Sequence, residues 1–213
     1  IPTFNRANYL TNCLNSILLC KVNSRVVFQV CVSDNASTDK TEEVINKAQA
    51  SMDIKYNKNH KNLNRPRNYI KVIEMAEGEF CWLVGDDDLL LPDAINTLYD
   101  LIVNNNNVDF FYVNSFHLTT EYVASFSQPF NTENLPNYMK PFSSWQNTGK
   151  LPFMDLIDPK ISFDFLGGMF LSVFRRENWI TNVEELDEEA IKDSRTFSHF
   201  DNTFPHIKIF AKA

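Results

Sequence analysis

Glycine is scarce in this chain, with five residues in 213. That leaves no Gly-rich loop to cradle a phosphate after the first strand, where the sequence reads Pro2-Thr3-Phe4-Asn5-Arg6. Basic runs are missing too, and the formal charge is −7. Both features argue against a protein that grips a nucleic-acid backbone. A nucleotide held through a metal stays compatible with that charge, because the metal supplies the positive field. The four cysteines, Cys13, Cys20, Cys31 and Cys81, lie far apart in apolar segments and show no Cys-x-x-Cys or metal-finger spacing. They read as buried thiols in a reducing, cytoplasmic compartment. No apolar run approaches the ~20 residues that span a bilayer, and neither a signal peptide nor an internal repeat is visible. The chain opens at Ile1-Pro2-Thr3 without Met, so a first strand is expected to have lost its beginning, and targeting information could have gone with it.

What is present is an ordinary globular composition, 44% hydrophobic and 22% charged, in a length ample for a sizeable core. The chain is organised around Phe80-Cys81-Trp82-Leu83-Val84-Gly85-Asp86-Asp87-Asp88. A short apolar run bounded by Gly predicts a buried strand, and it empties directly into three carboxylates. Adjacent carboxylates repel unless a cation sits among them, and oxygen-only clusters suit Mg²⁺ or Mn²⁺ bridged to substrate phosphates. Pro92 is expected to open the next helix at its first position. Without that context, three aspartates would read as a solvated acidic turn.

Leu10, Cys13, Leu14, Ile17 and Leu18 recur with helical spacing. Val26 to Val32 is rich in β-formers and predicts a strand ending at Ser33-Asp34-Asn35-Ala36-Ser37-Thr38-Asp39. Asp39 followed by Glu42 fits a helix cap. Ile54-Lys55-Tyr56 is a short strand, Tyr69, Val72, Ile73 and Ala76 mark a helix closed by Gly78, Ile95, Leu98, Tyr99 and Ile102 mark another, and Val108 to Val113 is a further strand. The strict β-α alternation predicts a doubly wound, mainly parallel α/β sheet. Residues 116–160, rich in Pro, Asn, Ser and aromatics, form a connection long enough to be functional. Phe126, Phe130, Tyr138, Phe142 and Trp145 within it could stack on a sugar or lipid, though packing is the simpler use. Arg175-Arg176-Glu177-Asn178-Trp179 looks like the start of a surface helix.

Pro2-Thr3-Phe4-Asn5-Arg6, Ser33 to Asp39, Arg67-Asn68, Ala76-Glu77-Gly78-Glu79 and Asp86-Asp87-Asp88 occur in an order and spacing that resembles family-2 glycosyltransferases. The resemblance covers residues 1–115, and Gly167-Gly168 through Arg175-Arg176-Glu177 is similar to the family's acceptor-side strand and helix. It implies an A-type nucleotide-sugar-binding fold, with a donor half at 1–115 and an acceptor and catalytic-base half of the same domain at 116–213. Two departures stand out: Gly85 replaces an acidic residue often found two before Asp87, and Asn64 replaces a glycine, although Asn tolerates the same left-handed backbone.

The implied reaction is inverting transfer from a nucleotide-diphosphate sugar, most simply a UDP-sugar, to a hydroxyl of a saccharide or lipid-linked saccharide, as in surface polysaccharide or glycoconjugate synthesis. A lipid-linked acceptor could bring the chain to the inner face of a membrane. By resemblance, Pro2, Thr3, Asn5, Arg6, Asp34, Arg67, Asp86 and Asp87 serve the donor, with Asp34 reading the base and Asp87 nearer the ribose. Asp88 falls at the metal-ligating position for Mn²⁺ or Mg²⁺. Asp34 has a competing use as a turn cap, and Arg67 as a surface arginine. The base is expected at Asp201, in Phe200-Asp201-Asn202-Thr203-Phe204, with His199, His206 and Asp164 as alternatives. A sugar nucleotidyltransferase would also use a nucleotide-binding α/β sheet and Mg²⁺ but would normally show the missing Gly-rich loop. A non-catalytic nucleotide- or carbohydrate-binding module would show affinity without turnover.

Overall fold

The computed structural model describes residues 1–22, 24–145, 147–158, 160, 168–195 and 197–213. Its first half follows the expected alternation: β1 (Pro2–Thr3), α1 (Ala7–Val22), β2 (Val30–Asp34), α2 (Thr41–Gln49), β3 (Ile54–Lys58), α3 (Arg65–Met75), β4 (Phe80–Trp82), α4 (Ala94–Asn104) and β5 (Phe110–Tyr112). The second half adds short helices α5 (Thr120–Ala124) and α6 (Phe153–Ile157), strand β6 (Ser172–Arg175), then α7 (Arg176–Asn182), α8 (Glu188–Lys192), α9 (Phe200–Thr203) and α10 (Pro205–Lys212).

β1, β2 and β3 pair in parallel, with Thr3 opposite Asp34 and Val30 opposite Ile54. β6 returns from the second half to lie antiparallel between β4 and β5, with Val173 opposite both Trp82 and Phe111. The strand and helix expected to end at Arg175-Arg176-Glu177 are β6 and α7, and the strand completes the sheet from which the aspartates follow.

Two cores flank the sheets. Leu10, Leu14 and Ile17 of α1 meet Val32, Ile45, Ile54, Val84 and Leu90. Tyr69, Val72 and Ile73 of α3 meet Phe174, Trp179, Ile191, Ile209 and Phe210. The helix expected at Arg175 is α7, at the surface as anticipated, with a single inward anchor: Trp179 is fully buried, its ring stacked on Phe174 at 5.4 Å and edge-on to Phe210 at 5.6 Å.

Three boundaries also move. β2 begins at Val30, where β3 first offers a partner, and Val27 stands fully exposed outside it. α4 begins at Ala94, with Pro92 in the turn ahead of it and Asp93 taking side-chain hydrogen bonds from Asn96 and Thr97. α3 ends at Ala76 in extended backbone, so Gly78 does not close it. Among the described residues no helix is long and apolar enough to cross a membrane.

Candidate active site

The three aspartates turn sharply off the end of β4. Asp88 N–H donates to the Gly85 carbonyl at 3.2 Å, and Gly85 N–H donates back to Asp88 Oδ2 at 2.9 Å. A Cβ on residue 85 would sit 2.7 Å from Asp88 Oδ2 and 3.1 Å from Asp87 Oδ1. Glycine is therefore what lets two carboxylates fold back over the turn, which accounts for Gly85 at a position often acidic in similar sequences. The atoms in the way are side-chain tips, so Gly85→Ala should displace the Asp88 carboxylate while leaving the fold nearly as stable. We expect UDP affinity measured with Mn²⁺ to fall more than the melting temperature does; a lost fold with unchanged affinity per folded molecule would contradict this.

Asp86 points the other way, into the protein. Its Oδ2 accepts from Thr3 Oγ1 at 2.8 Å and its Oδ1 lies 3.1 Å from Arg6 Nε. The second arm of Arg6 reaches Asp87 Oδ2 at 2.5 Å. Thr3 and Arg6, at the end of β1 and the approach to α1, thus tie the first strand to the aspartate turn. Burial pushes Asp86 up to about 6, against the pull of Thr3 and Arg6, and burial likewise raises Asp88. The folded chain then holds a proton that the unfolded chain releases near pH 4. Stability from Asp86 is present at low pH and declines as pH rises from about 4 towards 6. In metal-free buffer this should appear as a loss of roughly 2–3 kcal/mol across that window, flattened in Asp86→Asn; an unchanged slope in the variant would rule out Asp86 as its source.

Pro2, Thr3, Arg6, Asp86 and Asp87 line a polar cleft of about 410 Å³, shared with Phe4, Asn35, Asn62, Asn64, Arg65, Tyr69, Asp193, Ser194 and Asn202. Five expected site residues lie outside its walls: Asn5, Asp34, Arg67, Asp88 and Asp201. Asn5, in left-handed backbone, staples the loop after β2: its N–H donates to Ser37 Oγ at 2.8 Å and its Oδ1 accepts from Thr38 N–H at 2.7 Å. Arg67 reaches Glu188 of α8 at 2.6 Å, and it is Arg65, two residues earlier, that lines the cleft.

Asp34 is fully buried behind Asn35. Its Oδ1 accepts from Ser37 N–H at 2.8 Å and its Oδ2 from the Tyr56 hydroxyl at 3.1 Å, the turn-capping alternative. Removing it orphans two donors, so Asp34→Ala should cost roughly 1–3 kcal/mol in stability. It should weaken UDP and a UDP-sugar by the same factor, because the loop as a whole shifts. Weakening of the UDP-sugar alone would place Asp34 against the sugar.

The residues that sequence reasoning missed are mostly amides. Asn35 uses both ends of its side chain, donating to Asn62 Oδ1 at 2.9 Å and to Asn64 O at 3.3 Å, and accepting from Leu63 N–H at 2.8 Å and Asn59 Nδ2 at 3.3 Å. It holds the polar loop 59–64 against the end of β2. Asn64, at φ 69, passes that restraint on to Lys192 O at 2.6 Å. The signal was available in the density of asparagines between 57 and 68. Phe4, 41% exposed on the cleft wall, is an open aromatic face beside Thr3.

On the C-terminal wall, Asp201 Oδ2 accepts from Asp187 N–H at 2.7 Å and from Lys208 Nζ at 2.9 Å. Its neighbour Asn202 faces the cleft instead. Asp193, also on the wall, is gripped by Arg195, whose hydrogen bonds hold its carboxyl well below the usual range; His199 Nε2 lies 3.2 Å away. His206 is buried. Asp164 and Gly167 lie outside the described residues. Among the described residues no group of three or more His, Cys, Asp or Glu side chains could hold a metal unaided.

Comparison with known proteins agrees with this geometry. The model of the family described as glycosyl transferase family 2 matches residues 1–172. Abequosyltransferase RfbV of Salmonella typhimurium is 40% identical over 104 residues, 46% of this chain and 30% of that protein. Poly(ribitol-phosphate) beta-N-acetylglucosaminyltransferase TarS of Staphylococcus aureus is 34% identical over 98 residues, 45% of this chain and 17% of that protein. The chain therefore matches less than a third of the length of either relative. The crystal structure of TarS 1–349 superposes with a TM-score of 0.62 at 17% identity, covering 98% of this chain and 53% of that one. Its complex with UDP-GlcNAc superposes with a TM-score of 0.59 at 18% identity, covering 85% of this chain and 45% of that one.

Proposed function

This chain belongs to glycosyl transferase family 2 and has its A-type α/β fold, and from that premise we propose that it is an inverting glycosyltransferase acting on a UDP-sugar. It moves the sugar to a hydroxyl of a saccharide or lipid-linked saccharide during assembly of a surface polysaccharide or glycoconjugate. One observation carries this: Thr3 and Arg6, at and just after the first strand, and Asp86 and Asp87, just after β4, are joined to one another and line one polar cleft, with Asp88 on the same turn. That TarS has been crystallised with UDP-GlcNAc supports UDP as the carrier.

Within the cleft, Phe4 offers an aromatic face for the base, since base–aromatic stacking tolerates any nucleobase. The amides held by Asn35 surround the nucleoside, and Arg65 supplies positive charge beside the diphosphate. Arg6 keeps Asp86 and Asp87 in place while itself lying on the cleft wall. A divalent cation, Mn²⁺ or Mg²⁺, fits the donor set: Asp88 uses only Oδ2 on Gly85, and such ions are commonly held by one or two carboxylates with substrate phosphates completing the shell. When bound, it neutralises the charge that develops on the departing diphosphate. Asp201 is the proposed base for the acceptor hydroxyl, positioned by α9 one residue from the cleft-lining Asn202.

Incubating the protein with a panel of UDP-sugars and Mn²⁺ tests this reading. Release of UDP from at least one donor, suppressed by chelator and accelerated by a saccharide acceptor, is expected. Tight UDP binding with no turnover of any donor would identify a binding module. Formation of UTP from a UDP-sugar and pyrophosphate would identify a nucleotidyltransferase.

A further inference from the structure

Among the described residues the polar cleft has two basic side chains on its walls, Arg6 and Arg65, and they are held in different ways. Arg6 is spent on Asp86 and Asp87. Arg65 has no carboxylate partner among the described residues; its guanidinium lies over the ring of Phe197, 5.1 Å from the centroid. Arg67, two residues further along α3, shows the other arrangement. Its charge goes to Glu188 at 2.6 Å, and it stays off the cleft walls. The difference matters chemically. A carboxylate that orients an arginine also cancels its charge and occupies its donors. A ring face orients the guanidinium plane and takes none of its N–H groups. An arginine held that way keeps its charge and its fork for an anion.

Phe197 reaches Arg65 from an unusual backbone. Its φ is 65, in the left-handed region, where a bulky aromatic is an outlier that persists only when its surroundings hold it there. Burial does not do this, because the residue is 68% exposed. The flanking chain does. On either side of it, Arg195 Nη2 and His199 Nε2 lie 2.6 Å and 3.2 Å from Asp193 Oδ2. Arg195 N–H donates to Asp193 Oδ1 at 2.9 Å, and Asn202 Nδ2 donates to Asp193 O at 2.8 Å. Asp193 is thus the hub of a closed loop on the cleft wall, and Phe197 is the tip that the loop presents to Arg65.

We propose that Phe197 is a positioning residue: its ring holds the Arg65 guanidinium, with its charge uncancelled, on the cleft wall for the diphosphate of the donor. The strained backbone is kept because it aims a neutral anchor at an arginine that a carboxylate would neutralise. The assignment rests on the nucleotide-sugar reading above and adds to the donor site a residue from the C-terminal half of the chain.

The test is a calorimetric titration of UDP with Mn²⁺, with uridine run as its competitor. Phe197→Leu keeps apolar bulk but has no π face, so UDP should bind roughly two- to fivefold more weakly, the fold-change of one exposed cation–π contact. Phe197→Tyr keeps the face and should bind as wild type does. Uridine has no phosphate, and its inhibition constant should be the same in all of these proteins. Glycine adopts the left-handed backbone freely, so Phe197→Gly should weaken UDP as leucine does without lowering the melting temperature. A residue that merely supports the fold would not give that pairing. In Arg65→Ala, adding Phe197→Leu should have no further effect. The proposal is overturned if Phe197→Leu binds UDP as tightly as wild type, if uridine weakens by the same factor as UDP, or if the loss persists undiminished without Arg65. ADP, GDP and CDP separate it from the reading it rests on. If wild type takes one of these and not UDP, the UDP-sugar reading falls and the same variants decide the role of Phe197 with that nucleotide. If wild type binds none of the four, both fall.

Discussion

In Asp88→Asn, UDP binding should fall to the level the wild-type chain shows in chelator, whether or not Mn²⁺ is added. Asparagine keeps an oxygen that can accept from Gly85 N–H, so the turn that holds residue 88 survives the substitution. What it loses is the negative charge, and with it the ability to anchor a hard cation between protein and diphosphate. The loss in Mn²⁺-dependent affinity should be at least ~10–100-fold, a range already reached when only an outer partner of a metal ligand is removed. Asp87→Asn is the informative neighbour. It removes the charge that pairs with Arg6 but leaves Asp88 intact, so metal dependence should persist with weaker binding overall. Calorimetric titration of UDP with Mn²⁺, with chelator and in both variants separates the two roles. Equal affinity for wild type with Mn²⁺, wild type with chelator and Asp88→Asn would remove the metal from this site.

The contrast between Asp88 and Asp86 shows where the sequence was legible and where it was not. Three adjacent carboxylates after a short apolar strand can be read directly as a cluster that must be stabilised by something. The direction in which each side chain turns cannot, because it depends on partners distant in the chain. Asp86 is claimed by Thr3 and Arg6, eighty or more positions away. Asp88 is claimed by the N–H of Gly85, three positions away. The departure at Gly85 looks like a loss in the sequence; in space it leaves room for the Asp88 carboxylate to fold back onto the Gly85 N–H.

The same distinction separates the halves of the chain. In α1 and α3 the periodic spacing of Leu10, Cys13, Leu14 and Ile17, and of Tyr69, Val72 and Ile73, marks the buried face, because neighbouring elements pack on one another, whereas α4, with Ile95, Leu98, Tyr99 and Ile102 at the same spacing, buries none of them fully. Beyond residue 115 the decisive pairings are non-local. β6 reaches back between β4 and β5, and Trp179 fills a core shared with α3 and α10. Arg67 and Arg65 illustrate the limit at the scale of a side chain. Both stand near the start of α3, but only the position of Glu188 on α8 decides that Arg67 turns from the cleft while Arg65 lines it. Asn5 and Asp34 were expected to serve the donor directly. They also build the loop on which Asn35 stands, Asp34 as the turn cap that its sequence context offered and Asn5 through contacts with residues more than thirty positions away.

The second large effect is expected at Asp201. Asp201→Asn should lower turnover with acceptor by ~10²–10⁴-fold, the usual consequence of losing a general base, while leaving UDP and Mn²⁺ affinity near wild type. The surroundings of this residue make the experiment demanding. Its Oδ2 already accepts from Asp187 N–H and pairs with Lys208, whose side chain is 40% exposed, so the carboxylate also fastens α9 to the start of α8 and to α10. Asparagine can still accept from Asp187 but cannot pair with the ammonium. Lys208→Met is therefore the necessary companion, because it removes the ion pair and keeps the carboxylate. If Asp201 is the base, Lys208→Met should destabilise the chain yet retain turnover, while Asp201→Asn should lose turnover with a comparable change in stability. If Asp201 only supports the fold, the two variants should lose stability and turnover together, and UDP binding should weaken with them. Survival of turnover in Asp201→Asn, with loss in His199→Ala or His206→Ala, would move the base to a histidine. His199 has the better position for that outcome, since its Nε2 already lies beside Asp193 on the cleft wall, whereas His206 is buried within the C-terminal helices.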